Sequence, residues 1–309
     1  MVVRSRPSSK KAAFKGVGQN VDGKYVESEQ IALHDPALYA FDAVAKPLEG
    51  FESVDSEAIQ YFHDHGFIAV ENAFSPQEVR DGLDGLEHLA LGQHSEFKNI
   101  MFESAAKDQL AGLSEAERLD AIRKMMYFVD CEPRLNAIAC HVDLLSVLRQ
   151  LVGSEELTMF QDMALMKPPS IGREKPWHQD CAYFDVPPQS PIVGVWIALD
   201  EAGLDNGCMR VLDGGHQEGP QIHFERRDWQ ICDADVETLH TTDHPVVAVP
   251  LKPGGCMFFS GLLPHGTPHN TSAKRRRALQ FHYRPSNTKT ISTDERLAVF
   301  GSEGKDVYC

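Results

Sequence analysis

The sequence predicts a mixed α+β protein, mainly β, in which an antiparallel barrel or double-sheet jelly roll is covered by helices from the N-terminal half. Helical periodicity dominates residues 55–153, whereas short apolar or alternating segments separated by Gly, Pro and Asn dominate residues 156–285. No helical pattern in the second part is long enough to supply the crossovers of a parallel sheet. The 309 residues, 42% apolar and 24% charged, suffice for one large domain with a sizeable core.

Residues 1–52 begin basic and Ser/Lys-rich without sustained periodicity and read as a partly flexible arm; a single domain then spans 53–309. Its first part, 53–155, is a helical annex. "DSEAIQYFHDHG" has helical spacing and stops at Gly66, "FIAVENAF" is a short strand, and Ser75 and Pro76 cap and open a helix through "SPQEVRDGLDGLEHLAL". Ser114 with Glu117 three residues on predicts a further helix over "LSEAERLDAIRKMM", and "PRLNAIACHVDLLSVLRQLVG" closes the annex at Gly153. The jelly-roll core, 156–290, contains "LTMFQDMALMKPP", "PIVGVWIALD", "GCMRVLDGGH", "VVAVPLKPGGCMFFSGLLPH" and "RRALQFHYRP" as strands. A polar stretch, 217–245, interrupts it as an insertion with the character of a lid, and 291–309 is a C-terminal tail.

Forty-five acidic against 30 basic residues give a net charge of −15, which opposes a phosphate backbone and favours a small molecule over nucleic acid as partner. The seven cysteines are scattered and never form C-x-x-C pairs, as expected for a reducing compartment. The opening "MVVRSRPSSKKAAF" lacks an apolar signal stretch, and no run approaches the roughly 18 apolar residues of a membrane span. A soluble, cytoplasmic protein without a membrane partner is the expectation; oligomeric state is not legible.

The chemistry concentrates in "KPWHQDCAYFDVPP". In an extended strand His178 and Asp180 point to the same side, where a ring nitrogen and a carboxylate oxygen can converge on a metal ion. An isolated His-x-Asp is ordinarily a surface pair, so a third ligand from another strand is needed. His265, at the end of "FFSGLLPH", supplies it. Two histidines and one carboxylate on one face of an octahedron leave three positions open, the arrangement of non-haem Fe(II) oxygenases. Eleven residues further, Arg276 lies in "AKRRRALQFHYRP". Strand alternation turns it inward and Arg275 and Arg277 outward, unless the register slips by one. A buried guanidinium needs a partner, and the far carboxylate of 2-oxoglutarate chelated at the iron would provide one.

From about residue 55 to residue 290 the chain resembles the phytanoyl-CoA dioxygenase family of Fe(II)/2-oxoglutarate oxygenases, on "YFHDHGFIAVENAFSPQEV", "MKPP", "WHQDCAYF", "VWIALDEAGLDNGCMRVLDGGH", "LKPGGCMFFSGLLPHGTPHN" and "RRRALQFHY" in that order. The resemblance implies a double-stranded β-helix, a cupin-like jelly roll, using Fe(II), 2-oxoglutarate and O2. It implies His178, Asp180 and His265 as iron ligands and Arg276 as the anchor of the distal carboxylate, with Thr267 assisting. Trp196 would wall the co-substrate pocket, and Gln161 and Lys124 are further contacts. Trp177, Cys181, Tyr183 and Phe184 flank the ligand pair as candidate substrate-pocket residues. The implied reaction hydroxylates a small molecule with release of succinate and CO2. A retained Asp180 favours hydroxylation, since halogenating relatives have a small residue there.

Two other readings stay open at this level. A non-redox metal protein of the same barrel type, an isomerase or hydrolase, would not need Arg276. A non-catalytic binding module would not need Asp180. Among the remaining histidines, His63 and His65 read as helix-terminal residues, and His216, His223, His240 and His244 as exposed loop residues. The terminal "DVYC" is not a peroxisomal signal, so a fatty-acyl role has no support from it.

Overall fold

The computed structural model describes residues 34–103, 110–226 and 228–301. The expected arm up to residue 33 and the end of the expected tail, 302–309, lie outside the described residues. In chain order the elements are β1 (Ala43–Val44), β2 (Leu48–Glu49), α1 (Ser56–His65), β3 (Phe67–Glu71), α2 (Pro76–Ala90), β4 (Ile100–Phe102), α3 (Glu115–Asp120) and β5 (Ile122–Met126). Then follow α4 (Pro133–Ala139), α5 (Val142–Val152), β6 (Leu157–Lys167), β7 (Lys175–His178), β8 (Val193–Ala198), β9 (Met209–Leu212), β10 (His223–Glu225) and β11 (Trp229–Ile231). The last are α6 (Asp233–Leu239), β12 (Val246–Val249), β13 (Cys256–Ser260), β14 (His265–Thr267), β15 (Arg276–Pro285) and α7 (Thr293–Phe300).

Local chemistry sets the main helix ends. The Asp55 carboxylate accepts from the backbone N–H groups of Glu57 and Ala58, and α1 stops at Gly66, whose φ of 83° only glycine adopts without strain. Ser75 and Glu78 form a capping box on α2, and α5 ends at left-handed Gly153. One helix is much shorter than its sequence predicts. The Ser114–Glu117 capping box is present, but α3 ends at Asp120 and the chain continues as β5. Lys124, Met125 and Met126 pair with Leu165, Ala164 and Met163 of β6. Met125 thereby enters the helix-side core, and sheet pairing overrides the local helical preference. The annex is accordingly not all helical, because β3, β4 and β5 belong to the larger sheet.

Eight strands pair in the order β2-β3-β13-β8-β15-β6-β5-β4, and five in the order β1-β12-β9-β14-β7. Pairing is antiparallel except where β1 and β2, from the segment expected as arm, add parallel edges to β12 and β3. The two sheets face each other as a jelly roll. Their shared core takes Phe67, Trp196, Met257, Phe259 and Ala278 from the large sheet and Met209, Val211, Val247 and Val249 from the small one. The other face of the large sheet, with Val195, Ile197, Leu279, Phe281 and Tyr283, packs on Leu86, Leu89, Leu135 and Leu148 of the helices. The 217–245 stretch carries the β10–β11 hairpin and α6 and buries His223, Gln230 and Ile231. The segment expected as a tail carries α7, whose Phe300 is buried.

Candidate active site

β7 and β14 are neighbours in the small sheet, and register sets His178 directly opposite His265. The third residue arrives differently from the sequence expectation. β7 ends at His178, and Asp180 opens a 3-10 turn, Asp180–Tyr183, so a change of chain direction, not strand alternation, returns its carboxylate to the histidines. Asp180 Oδ1 lies 3.3 Å from His178 Nε2, and Oδ2 lies 3.8 Å from His265 Nε2. One ligand atom from each of the three residues fits within 4.8 Å of the others, and all three residues are buried.

The tautomers are fixed by partners that can only accept. His178 Nδ1 donates to the Pro176 carbonyl at 2.8 Å and His265 Nδ1 to that of Leu263 at 2.9 Å, which leaves each Nε2 lone pair facing Asp180. Burial keeps both rings neutral: it lowers the His178 pKa and, with the neighbouring His178, takes that of His265 down to about 3. Burial alone would raise the Asp180 carboxyl. The nearby His282, His265 and His178 rings, with the hydrogen bond to His282, outweigh it and hold the group well below the usual carboxylate range. Two neutral imidazoles and one carboxylate are the donor set that suits Fe(II).

Alternation along β15 turns Arg276, Ala278, Gln280 and His282 toward the space between the sheets. Arg276 is 2% exposed, its one hydrogen bond among the described residues is a long one of 3.5 Å to the Leu165 carbonyl, and its Nε has no acceptor among them. Its guanidinium lies 5.2 Å from the centre of the Trp196 ring, whose own Nε1 also has no acceptor. Burial lowers the Arg276 pKa to about 10. The neighbours behave oppositely: Arg275 pairs with Asp120 at 2.8 Å, and Arg277 grips Asp200 with two bonds of 2.8 Å. Among the described residues the cradle beside Trp196 thus has buried donors and no carboxylate within bonding distance of Arg276, which fits the free end of a dicarboxylate.

Thr267 is buried on β14 opposite Lys175, past a register irregularity after His265. Gln161 sits opposite His282 across β6 and β15, on the inner face. Lys124 is on β5; burial takes its pKa down to about 8, and its charge is felt by Lys175, Asp180 and Asp228. The four candidate pocket residues divide. Tyr183 packs edge-on against His178 at 5.8 Å and accepts a 3.0 Å bond from Lys175, while Phe184 packs edge-on against His282 at 5.0 Å. Trp177 points to the outer face of the small sheet, stacked on Tyr39 and donating to the Leu38 carbonyl, because it alternates with His178. Cys181 fills an apolar cluster with Ala182, Val186 and Ile192. Trp177 thus packs the fold instead of lining the site, while Cys181 shares its cluster with Phe184.

Three residues near the site were not singled out as candidates from sequence. His282 Nε2 lies 2.7 Å and Gln280 Nε2 3.1 Å from Asp180 Oδ2; the signal was their spacing of four and six from Arg276. His223, expected in an exposed loop, is fully buried, and its Nε2 accepts from the Gln179 N–H at 3.0 Å. The polar composition around it hid a packed hairpin.

Comparison with known proteins agrees with this geometry. A family model described as phytanoyl-CoA dioxygenase (PhyH) matches residues 62–278. A phytanoyl-CoA dioxygenase domain-containing protein 1 homolog from Caenorhabditis briggsae is 26% identical over 285 residues, covering 78% of this chain and 95% of its own. The peroxisomal phytanoyl-CoA dioxygenase of Rattus norvegicus is 26% identical over 249 residues, covering 76% of this chain and 70% of its own. Among solved structures, EctD from S. alaskensis in its apoform superposes with a TM-score of 0.65 at 21% identity, over 85% of this chain and 88% of that one. The alpha ketoglutarate dependent carbocyclase SnoK from nogalamycin biosynthesis gives 0.63 at 20% identity, over 84% of this chain and 96% of its own. Those two structures share the fold with this chain; the match of the family model over most of the two-sheet core shows that the chain belongs to the phytanoyl-CoA dioxygenase family.

Proposed function

We propose that the protein is an Fe(II)/2-oxoglutarate-dependent dioxygenase that hydroxylates an unactivated C–H bond of a small molecule in the cytoplasm, releasing succinate and CO2. One observation carries this reading beyond metal binding: the buried Arg276, without a carboxylate partner, lies on the inner face that also supports Asp180. A zinc hydrolase of the same architecture has no use for such a cation. His178, Asp180 and His265 would hold the ion, which supplies the redox chemistry with O2 that no side chain here can perform.

The rest is done by the chain. Arg276 and the Trp196 indole N–H take the distal carboxylate, with Thr267 contributing from β14 of the facing sheet. Lys124 adds positive potential toward the metal end. The apolar inner side chains Met257 and Phe259 and the rings of Tyr183 and Phe184 exclude water around the ligands. EctD has been solved with 2-oxoglutarate and 5-hydroxyectoine, and superposes here with a TM-score of 0.61. The test is anaerobic titration of the apoprotein with Fe(II) and 2-oxoglutarate, in wild type and in Arg276→Ala. The weak visible charge-transfer band of a chelated keto acid is expected in the wild type and weakened in the variant. Absence of the band in a folded, Fe(II)-loaded wild type would overturn the reading.

A further inference from the structure

Asp180 has two oxygens and only one is free to face a metal. Oδ2 is engaged from β15 by His282 Nε2 at 2.7 Å and by Gln280 Nε2 at 3.1 Å, whereas Oδ1 faces His178. The direction of the His282 bond follows from its surroundings. The ionised carboxylate can only accept, so His282 Nε2 is the donor, while its Nδ1 is buried without a hydrogen-bond partner among the described residues. His282 is 0% exposed and wedged among the rings of Phe160, Phe184 and Phe259, with centroids 6.1, 5.0 and 6.1 Å away, so it cannot swing clear of Asp180 without disturbing three aromatics.

We infer that His282, aided by Gln280, is a positioning residue that pins Asp180 as a one-oxygen ligand. Resting on the iron-site reading above, this gives the pair a definite task. With both donors on Oδ2, the carboxylate cannot close on the ion with two oxygens, and the position it would otherwise occupy stays open for the co-substrate or O2. The two donors come from the strand that begins at Arg276, so one strand sets the co-substrate anchor at its start and the ligand geometry six residues later.

The experiment uses the full chain loaded with Co(II), whose visible absorption changes in shape and intensity with coordination number. It compares wild type, His282→Phe, His282→Gln and Gln280→Leu, with and without 2-oxoglutarate under nitrogen. Phe matches the aromatic surroundings but removes the donor; Gln keeps one. His282→Phe is expected to weaken Co(II) binding about 10- to 100-fold and to alter the Co(II) spectrum. His282→Gln should recover most of both, and His282→Phe combined with Gln280→Leu should lose less than the sum of the two.

A folded His282→Phe with wild-type affinity and spectrum would overturn the inference. So would a loss in His282→Gln as severe as in His282→Phe, which would make His282 a ligand in its own right. Should His282→Phe fail to fold, Gln280→Leu decides alone, and an unchanged affinity and spectrum there also overturns it. A wild type that binds no Co(II) or Fe(II) removes the metal reading itself, an outcome distinct from all of these.

Discussion

The two faces of β15 have the same strand, the same neighbours and opposite characters. On the helix side, Leu279, Phe281 and Tyr283 are fully buried among apolar side chains, and the one polar group, the Tyr283 hydroxyl, donates to the Ala139 carbonyl at 2.7 Å. On the inner side, Arg276, Gln280 and His282 are as deeply buried, yet Arg276 Nε and His282 Nδ1 have no hydrogen-bond partner among the described residues. A fold held only by its own contacts has little reason to bury donors and acceptors it does not satisfy. The outer face is built for stability, and the inner one for something that is not part of the chain.

Removing packing from the outer face should give the largest effect on stability. Phe281→Ala is expected to lower the unfolding free energy by about 3–5 kcal/mol, read by urea denaturation, while 2-oxoglutarate affinity per folded molecule stays unchanged. Arg276→Leu should do the reverse. Losing the buried guanidinium of the cradle should weaken 2-oxoglutarate binding by about 2–5 kcal/mol, roughly 30- to 4,000-fold in Kd by calorimetry. Without co-substrate, Arg276→Leu should be as stable as the wild type or more so, since an unpartnered buried charge is removed. A large loss of apoprotein stability would mean that the inner face is structural after all.

The faces should also differ in pH dependence. His265 and His223 are held neutral down to about 3 in the folded chain, against a reference value of 6.5. Below pH 6.5 the unfolded chain takes up protons that the folded rings refuse. Stability is therefore full above that value and falls as the pH drops toward 3. His223→Gln should flatten the slope of urea midpoint against pH in this window, whereas the deficit caused by Phe281→Ala should not vary with pH. The smallest effect is expected for Arg277→Ala, next to Arg276 but partly exposed and paired with Asp200: within about 1 kcal/mol in stability and no change in 2-oxoglutarate affinity. A change in affinity there would show that the register of β15 is one residue out.

The sequence by itself determined the helical first part and stranded second part, the capped ends of α1, α2 and α5, the inward turn of Arg276, and the choice of two histidines and one aspartate that the fold brings together. The elements, caps and the turn of Arg276 follow from periodicities and spacings within a few residues, where sterics and alternation act locally; the ligand set was chosen by residue type. Only the tertiary structure decided that Ile122–Met126 is a strand, that Trp177 packs away from the site, and that Asp180 reaches His178 through a turn. It alone placed His282 against Asp180, 102 positions earlier in the chain, and buried His223 under a hairpin. Those outcomes depend on which strands pair and in what register, a balance of long-range burial and hydrogen bonding that no local stretch of the sequence contains.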